Sequence, residues 1–161
     1  MVDVIIKTIK SFSAFCLEGT PLQLGQMIQT LMDWFQEKGA QATSKPTAIF
    51  HSTPDEMPPD KMRCEACVAA RVKSVTEDAT PLDPEPPIYA KILPEIQAAC
   101  AVFEGPQSAD AEIALVFEVL SWIKTNDYIR TGPIRQVYRK VWMEEETLFT
   151  RMETQVPIKK I

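Results

Sequence analysis

Cys64 and Cys67 form a Cys-x-x-Cys, the spacing at which two thiolates can grip a zinc ion or exchange a disulfide. A tetrahedral zinc site needs four ligands, and the sequence offers no second such pair and a single histidine, His51. The two cysteines also sit in a stretch, 62–72, that reads as a strand, where residues three apart face opposite sides. They read as small buried thiols, and neither a metal nor a cofactor is expected. The carboxylates look equally plain. Glu65 and Glu153 lie inside strands beside Arg63 and Arg151, where a solvent-facing ion pair contributes little. Glu18 and Glu104 end strands, and 144–146 is a solvated acidic turn. Aromatic rings are the remaining resource. Phe103, Trp122, Tyr138 and Trp142 all fall in the second half of the chain, where they can line a lipophilic site or simply fill a core.

The elements that must position these residues follow from periodicity. Alternation predicts a first strand over 4–17, closed by Glu18-Gly19, with Gly19 easing the turn. Thr20 then caps a helix, with Pro21 in its first turn and Gln23 completing a capping box. Leu24, Met27, Ile28, Leu31 and Phe35 make its apolar stripe, and Gly39 stops it. A short strand follows Pro46 over 47–51, then a proline-rich acidic loop over 52–60 and the strand at 62–72. Four prolines and four acidic residues between 76 and 87 make a connector. Beyond it the plan recurs. A strand over 96–103 ends at Glu104-Gly105, and Ser108 caps a helix with Asp110 and Glu112 in its first turn. Its stripe reads as Ile113, Val116, Phe117, Leu120 and Ile123. Strands over 134–138 and 148–158 complete the chain.

Superposing the halves pairs Glu18-Gly19 with Glu104-Gly105, Trp34 with Trp122 and Pro46 with Pro133. It also pairs Arg63-x-Glu65-x-x-Val68 with Arg151-x-Glu153-x-x-Val156. The expected fold is therefore α+β. Tandem duplicated strand–helix–strand–strand units, about 1–75 and about 88–161, form a curved antiparallel sheet with two main helices and a central cleft. One helix cannot cover a sheet alone, so the units share a core and 1–161 is one domain.

Composition excludes several functions. A chain of 161 residues with a formal net charge of −5 lacks the clustered basic surface that phosphates require, so no direct contact with nucleic acid is expected. No stretch approaches the roughly twenty apolar residues that span a bilayer. The N-terminus, broken by Lys7 and Lys10, does not read as a signal peptide, which places the protein in the cytoplasm with reduced thiols.

The Glu-Gly after each opening strand, the twofold plan, the 62–68 strand behind its acidic loop, and the run Gly132-Pro-Ile-Arg-Gln-Val-Tyr138 together resemble the GyrI-like small-molecule-binding domain. This is the effector-binding domain of AraC- and MerR-type multidrug regulators, related in plan to the SOUL domain. The resemblance implies a small lipophilic molecule held in an aromatic-lined cleft between the repeats, in a sensor, effector-binding or sequestering role. It leaves room for a protein partner, and no segment remains for a helix-turn-helix. Gln136, Tyr138, Trp122, Trp142, Phe103 and His51 are the expected ligand-binding residues, His51 as the repeat counterpart of Tyr138. Relatives carry a Glu-x-Tyr at the cleft floor, select cations with it, and in some cases hydrolyse reactive electrophiles. Here Gln136 takes the glutamate's place. An amide exerts no comparable pull on a cation and cannot serve as base or nucleophile. Binding is therefore expected ahead of catalysis. The alternatives are a hydrolase using Tyr138 and Trp122 with another acid, or an inhibitor that modulates gyrase.

Overall fold

The computed structural model describes residues 2–72 and 87–161. The fold is α+β, with two long helices packed on antiparallel strands. The chain resolves into two compact units, residues 11–94 and residues 1–10 with 95–161. The expected connector over 76–87 lies, Pro87 apart, outside the described residues.

The unit at 11–94 holds β2 (Phe12–Gly19), α1 (Leu24–Lys38), β3 (Ala40–Ala42), β4 (Thr47–Phe50), β5 (Cys64–Val68), β6 (Ala70–Val72) and β7 (Tyr89–Leu93). Its main sheet runs β7-β2-β5-β4, every pair antiparallel, while β3 and β6 form a separate ribbon. A 3-10 turn at Pro21–Gln23 leads into α1, and Gln23 Oε1 accepts the Thr20 N–H at 3.1 Å. The helix ends at Gly39 with φ 69°, a left-handed value that glycine adopts without a Cβ penalty. Met27, Leu31, Trp34 and Phe35 bury the inner face of α1 against Leu17, Cys64, Ala66 and Val68. The opposite face of the same sheet carries Ala14, Cys16, Ile49, Cys67 and Leu93, also buried.

The other unit holds β1 (Ile5–Ile9), β8 (Ile96–Pro106), α2 (Ala109–Thr125), β9 (Tyr128–Arg130), β10 (Ile134–Glu144) and β11 (Thr147–Lys160). Its order is β1-β8-β11-β10, again antiparallel, with β9 on the far end of β11. Ser108 Oγ caps α2 by accepting the Ala111 N–H at 3.3 Å. The buried residues of α2 are Leu115, Val116, Val119 and Ile123, whereas Phe117, placed in the stripe by spacing, is exposed. So much of α2 is apolar that periodicity alone does not select its inner face.

Several boundaries differ from expectation. The strand expected over 4–17 is two strands, because the chain leaves one unit at Lys10 and enters the other at Ser11. The 62–72 strand is likewise divided after Val68, where Ala69 leaves the main sheet and β6 turns to β3. Strands β7 and β9 did not register as elements in the sequence. Strand β10, expected over 134–138, runs on to Glu144 and forms a long hairpin with β11, which lies within two residues of its expected bounds.

Candidate functional site

Two glutamates dominate the polar interior, and both were expected at the surface. Glu65 and Glu153 are each only 3% exposed. Each is central in its sheet. Glu65 on β5 pairs with Glu18 of β2 and Ile49 of β4, and Glu153 on β11 pairs with Val102 of β8 and Val137 of β10. Residues directly opposed across antiparallel strands point to the same face. Glu65 therefore lies on the sheet face away from α1, together with Cys16 and Cys67.

A carboxylate survives burial only with partners. Around Glu65, His51 Nε2 lies 2.7 Å from Oε1, Lys91 Nζ donates to Oε1 at 2.8 Å and to Oε2 at 3.1 Å, and the Tyr89 hydroxyl donates to Oε2. Around Glu153, Lys7 Nζ donates to Oε2 at 2.6 Å, while Arg139 Nη2 at 2.8 Å and Gln155 Nε2 at 2.6 Å donate to Oε1. In both clusters burial pushes the carboxyl pKa up. The donated hydrogen bonds and the lysine or arginine charge outweigh it, and each carboxyl ends below its ordinary value. Neither expected pair, Arg63 with Glu65 or Arg151 with Glu153, occurs among the described residues. Arg63 pairs with Glu18 at 2.8 Å rather than with Glu65.

The partners occupy matching places. Each lysine comes from an edge strand next to the opening strand, Lys91 facing Ala14 and Lys7 facing Ala98. His51 and Arg139 each follow the middle strand's last regular pair beside the glutamate's strand. The surroundings differ in chemistry. Cys16 faces Cys67 beside Glu65, whereas Cys100 faces Gln155 beside Glu153.

A depression of about 450 Å³ opens beside Glu153, walled by Val2, Ile5, Cys100 and Val102, with Lys7 and Asp3 at its polar side. A second, of about 390 Å³, lies between Val2, Val4 and α2, where Trp122 contributes its ring.

The residues expected to hold a ligand are dispersed. Gln136 faces Thr154, and Tyr138 faces Met152, which also faces Phe103, so Gln136, Tyr138 and Phe103 share one face of their sheet. Glu153 lies on the other face, one residue out of phase. The register shifts at Arg139, which places Trp142 opposite Phe149 on the Glu153 side. There its ring stacks on Phe149 at 5.7 Å and its indole N–H donates to Glu144 at 3.2 Å. Trp122 stacks on Tyr128 at 5.8 Å. His51 belongs to the Glu65 cluster, and the register makes Phe50, facing Cys64, the positional match of Tyr138. The two glutamates are the residues that sequence reasoning passed over. Their shared Arg-x-Glu-x-x-Val setting was the available signal, because a carboxylate repeated at one strand position in both halves is bound to a common environment.

The cysteines are all free and buried. Cys64 packs under α1 and Cys67 lies on the opposite face, as strand geometry requires. Burial, with the neighbouring Glu65 charge, pushes the Cys64 thiol up to about 11, and burial with Glu153 does the same to Cys100. Cys16, Glu65 and Cys67 bring three ligand atoms within 4.8 Å of one another, the set that could hold a metal among the described residues. Lys91 already donates to both oxygens of Glu65, so a metal ion there would compete with its ammonium for the carboxylate.

This two-helix, antiparallel arrangement defines a known class: residues 4–159 match the GyrI-like small molecule binding domain, and the chain belongs to that family. No curated protein sequence matches it. Among solved structures, the crystal structure of the EcmrR C-terminal domain is similar at TM-score 0.72 and 18% identity, covering 100% of this chain and 99% of that one. EcmrR in its DNA complex is similar at TM-score 0.79 and 18% identity over 99% of this chain, which spans only 58% of that longer one. SAV2435 bound to tetraphenylphosphonium is similar at TM-score 0.52 and 13% identity, covering 98% of this chain and 94% of that one. At these identities the likeness is one of fold.

Proposed function

We propose that this chain binds a lipophilic small molecule, in a sensor, effector-binding or sequestering role, and that the depression beside Glu153 is its site. The observation that carries this reading is the pairing of a buried carboxylate with mostly apolar walls around about 450 Å³. Drug-sized ligands occupy pockets of roughly 300–1,000 Å³ lined by apolar side chains with a few polar anchors. Family membership supplies the class of activity, and this geometry supports the place.

The charge balance selects the ligand. Glu153 is already matched by Lys7 and Arg139, and Asp3 adds one further negative charge at the rim. Two positive and two negative groups leave no unmet demand for a cation. A neutral lipophile therefore suits this depression better than the phosphonium that SAV2435 holds. A lipophilic cation would have to displace Lys7 from its 2.6 Å contact with Glu153.

Thermal shift with neutral polycyclic compounds and with tetraphenylphosphonium tests the reading. A neutral ligand at a hundred times its Kd stabilises by about 2.7 kcal/mol. In a chain of this size that raises Tm by roughly 5–10 °C. Val102→Trp, which fills the depression, is expected to abolish the shift, and Tyr138→Ala on the opposite face to preserve it. A shift lost in Tyr138→Ala and kept in Val102→Trp would move the site to the Gln136 face. No shift with any compound would remove the binding claim.

A further inference from the structure

The Glu65 cluster differs from the Glu153 cluster in one chemically consequential way: it adjoins two cysteines that touch. Cys16 on β2 and Cys67 on β5 are directly opposed in an antiparallel register, and each is fully buried. Their Sγ atoms lie 2.8 Å apart in a thiol–thiol contact. At the corresponding place in the other unit Cys100 is opposed by Gln155, which hydrogen-bonds Glu153 instead. We propose that Cys16 and Cys67 form a reversible intramolecular disulfide that pins β2 to β5, making this face of the 11–94 unit a redox-responsive site.

Three observations converge on this pair rather than on Cys64 or Cys100. Directly opposed residues of an antiparallel pair have Cα atoms about 4.5 or 5.5 Å apart, and both values fall within the range of about 4.4–6.8 Å that a disulfide bridges. The sulfurs need to approach by only about another 0.8 Å to reach a bonding distance of about 2.05 Å. Cys64 points to the α1 side of the same strand and Cys100 belongs to the other unit, so neither competes.

The reaction is a two-electron oxidation. The two S–H bonds break, one S–S bond forms, and two protons and two electrons pass to the oxidant. With a low-molecular-weight disulfide such as oxidised glutathione, the first thiol forms a mixed disulfide and releases one reduced glutathione, and the second thiol attacks that mixed disulfide and releases the other. With hydrogen peroxide, a sulfenic acid forms first and is displaced by the second thiol, releasing two waters in all. Because both sulfurs are buried, the reaction proceeds through local opening of β2 from β5 and is slow relative to that of a surface thiol.

The test uses the full chain, incubated with oxidised glutathione or hydrogen peroxide and then unfolded for thiol titration, intact mass and peptide mapping. Expected is the loss of two of the four thiols and a Cys16–Cys67 cross-linked peptide that is seen without reductant and cleaved by it. Tm should rise on the order of 10 °C, reversed by reductant, because the bond closes a long loop. Cys67→Ser and Cys16→Ala should each abolish all three changes, while Cys64→Ser and Cys100→Ser leave them. Mapping of the wild-type cross-link decides the question even where a variant folds poorly. Four thiols remaining after prolonged oxidation, a cross-link involving Cys64, or stoichiometric zinc retained by the reduced protein and lost in Cys67→Ser would each overturn the proposal.

Discussion

At the scale of single residues, the two buried glutamates set how the fold responds to pH. Each has a folded pKa below that of an unfolded glutamate, so between the two values the folded state holds fewer protons than the unfolded one. The stability they contribute is complete above about pH 4.3, the unfolded value, and is lost as the pH falls through the folded values. Lys91 runs the opposite way. Burial lowers it but the Glu65 hydrogen bond and charge raise it further, so its contribution holds below the unfolded lysine value and is lost as the pH climbs through the folded one. Glu65→Gln keeps the shape of the side chain and removes its charge. It is expected to cost about 1–3 kcal/mol at pH 7 and to flatten the acid limb of denaturant midpoints measured from pH 7 to pH 3. An unchanged acid limb would show that other carboxylates govern it. Glu112 makes the contrast. Burial alone raises its pKa and one carboxyl oxygen lies buried without a hydrogen-bond partner among the described residues. Its ionisation therefore opposes folding, and Glu112→Gln should raise stability at pH 7, with the gain vanishing in acid. The glutamate clusters were hard to read from sequence for a definite reason. Lys7 reaches Glu153 across 146 positions and Lys91 reaches Glu65 across 26, so the cations that make burial tolerable are not neighbours in the chain. The arginines that are neighbours, Arg63 and Arg151, drew attention instead.

At the scale of elements, the hairpin of β10 and β11 carries a turn that its sequence fits poorly. Glu144 pairs with Thr147, leaving Glu145 and Glu146 as a two-residue loop with φ of 46° and 69°. Both are left-handed, the conformation that Asn-Gly adopts readily and that other residues take at a cost of about 1 kcal/mol each. Replacing Glu145→Asn together with Glu146→Gly is expected to raise Tm by roughly 2–6 °C, read by calorimetry. A fall would show that the glutamates hold the turn through contacts of their own. The cap of α2 works in the usual direction: Ser108→Ala leaves the Ala111 N–H without its acceptor and should cost about 1 kcal/mol. Much of this layer was legible. Both helices, their caps and the proline-marked strand entries came from local rules, because caps and turns act over three or four residues. The glycines were legible as landmarks but not as physics. Gly19 does not have a left-handed backbone. An added Cβ would sit 2.6 Å from Met27 Sδ, and at Gly105 it would meet the Phe103 ring at 3.2 Å, so a side chain at either position would force Met27 or Phe103 to shift. Strand β7 escaped because Tyr89–Leu93 is five residues long and bounded by prolines, and β9 because three residues carry no period. The outer half of β10 is mostly exposed, so no buried face imposes alternation on it.

At the scale of the molecule, the same strand order, edge–opening–closing–middle, occurs in both units, but the edge strand in each is supplied from across the chain. Strand β1, at the N-terminus, lies on β8, and β7, next to the second half, lies on β2. The repeat reading placed each edge with its own half in sequence, and that arithmetic is blind to an exchange of this kind: alternation marks a strand but not its neighbour. The exchange has an energetic consequence. A half ending near 75 would lack β7, and with it the Lys91 that neutralises buried Glu65 and the Tyr89 hydroxyl that donates to it. A half beginning near 88 would lack β1 and the Lys7 that neutralises Glu153. Leaving a buried carboxylate without a cation costs about 3–5 kcal/mol, and less where Arg139 still pairs with Glu153, a large share of a domain's net stability. Cutting the chain within 76–86, at an inserted protease site, tests this directly. The two fragments are expected to stay together through size-exclusion chromatography, because each still completes the other's sheet, and to separate only in denaturant. Expressed alone, each fragment should show weakened strand signals and rapid proteolysis, recovered on mixing. Fragments that part under native conditions, or that fold stably alone with Glu65 or Glu153 lacking its lysine, would show that the edge strands are accessories rather than part of each unit's core.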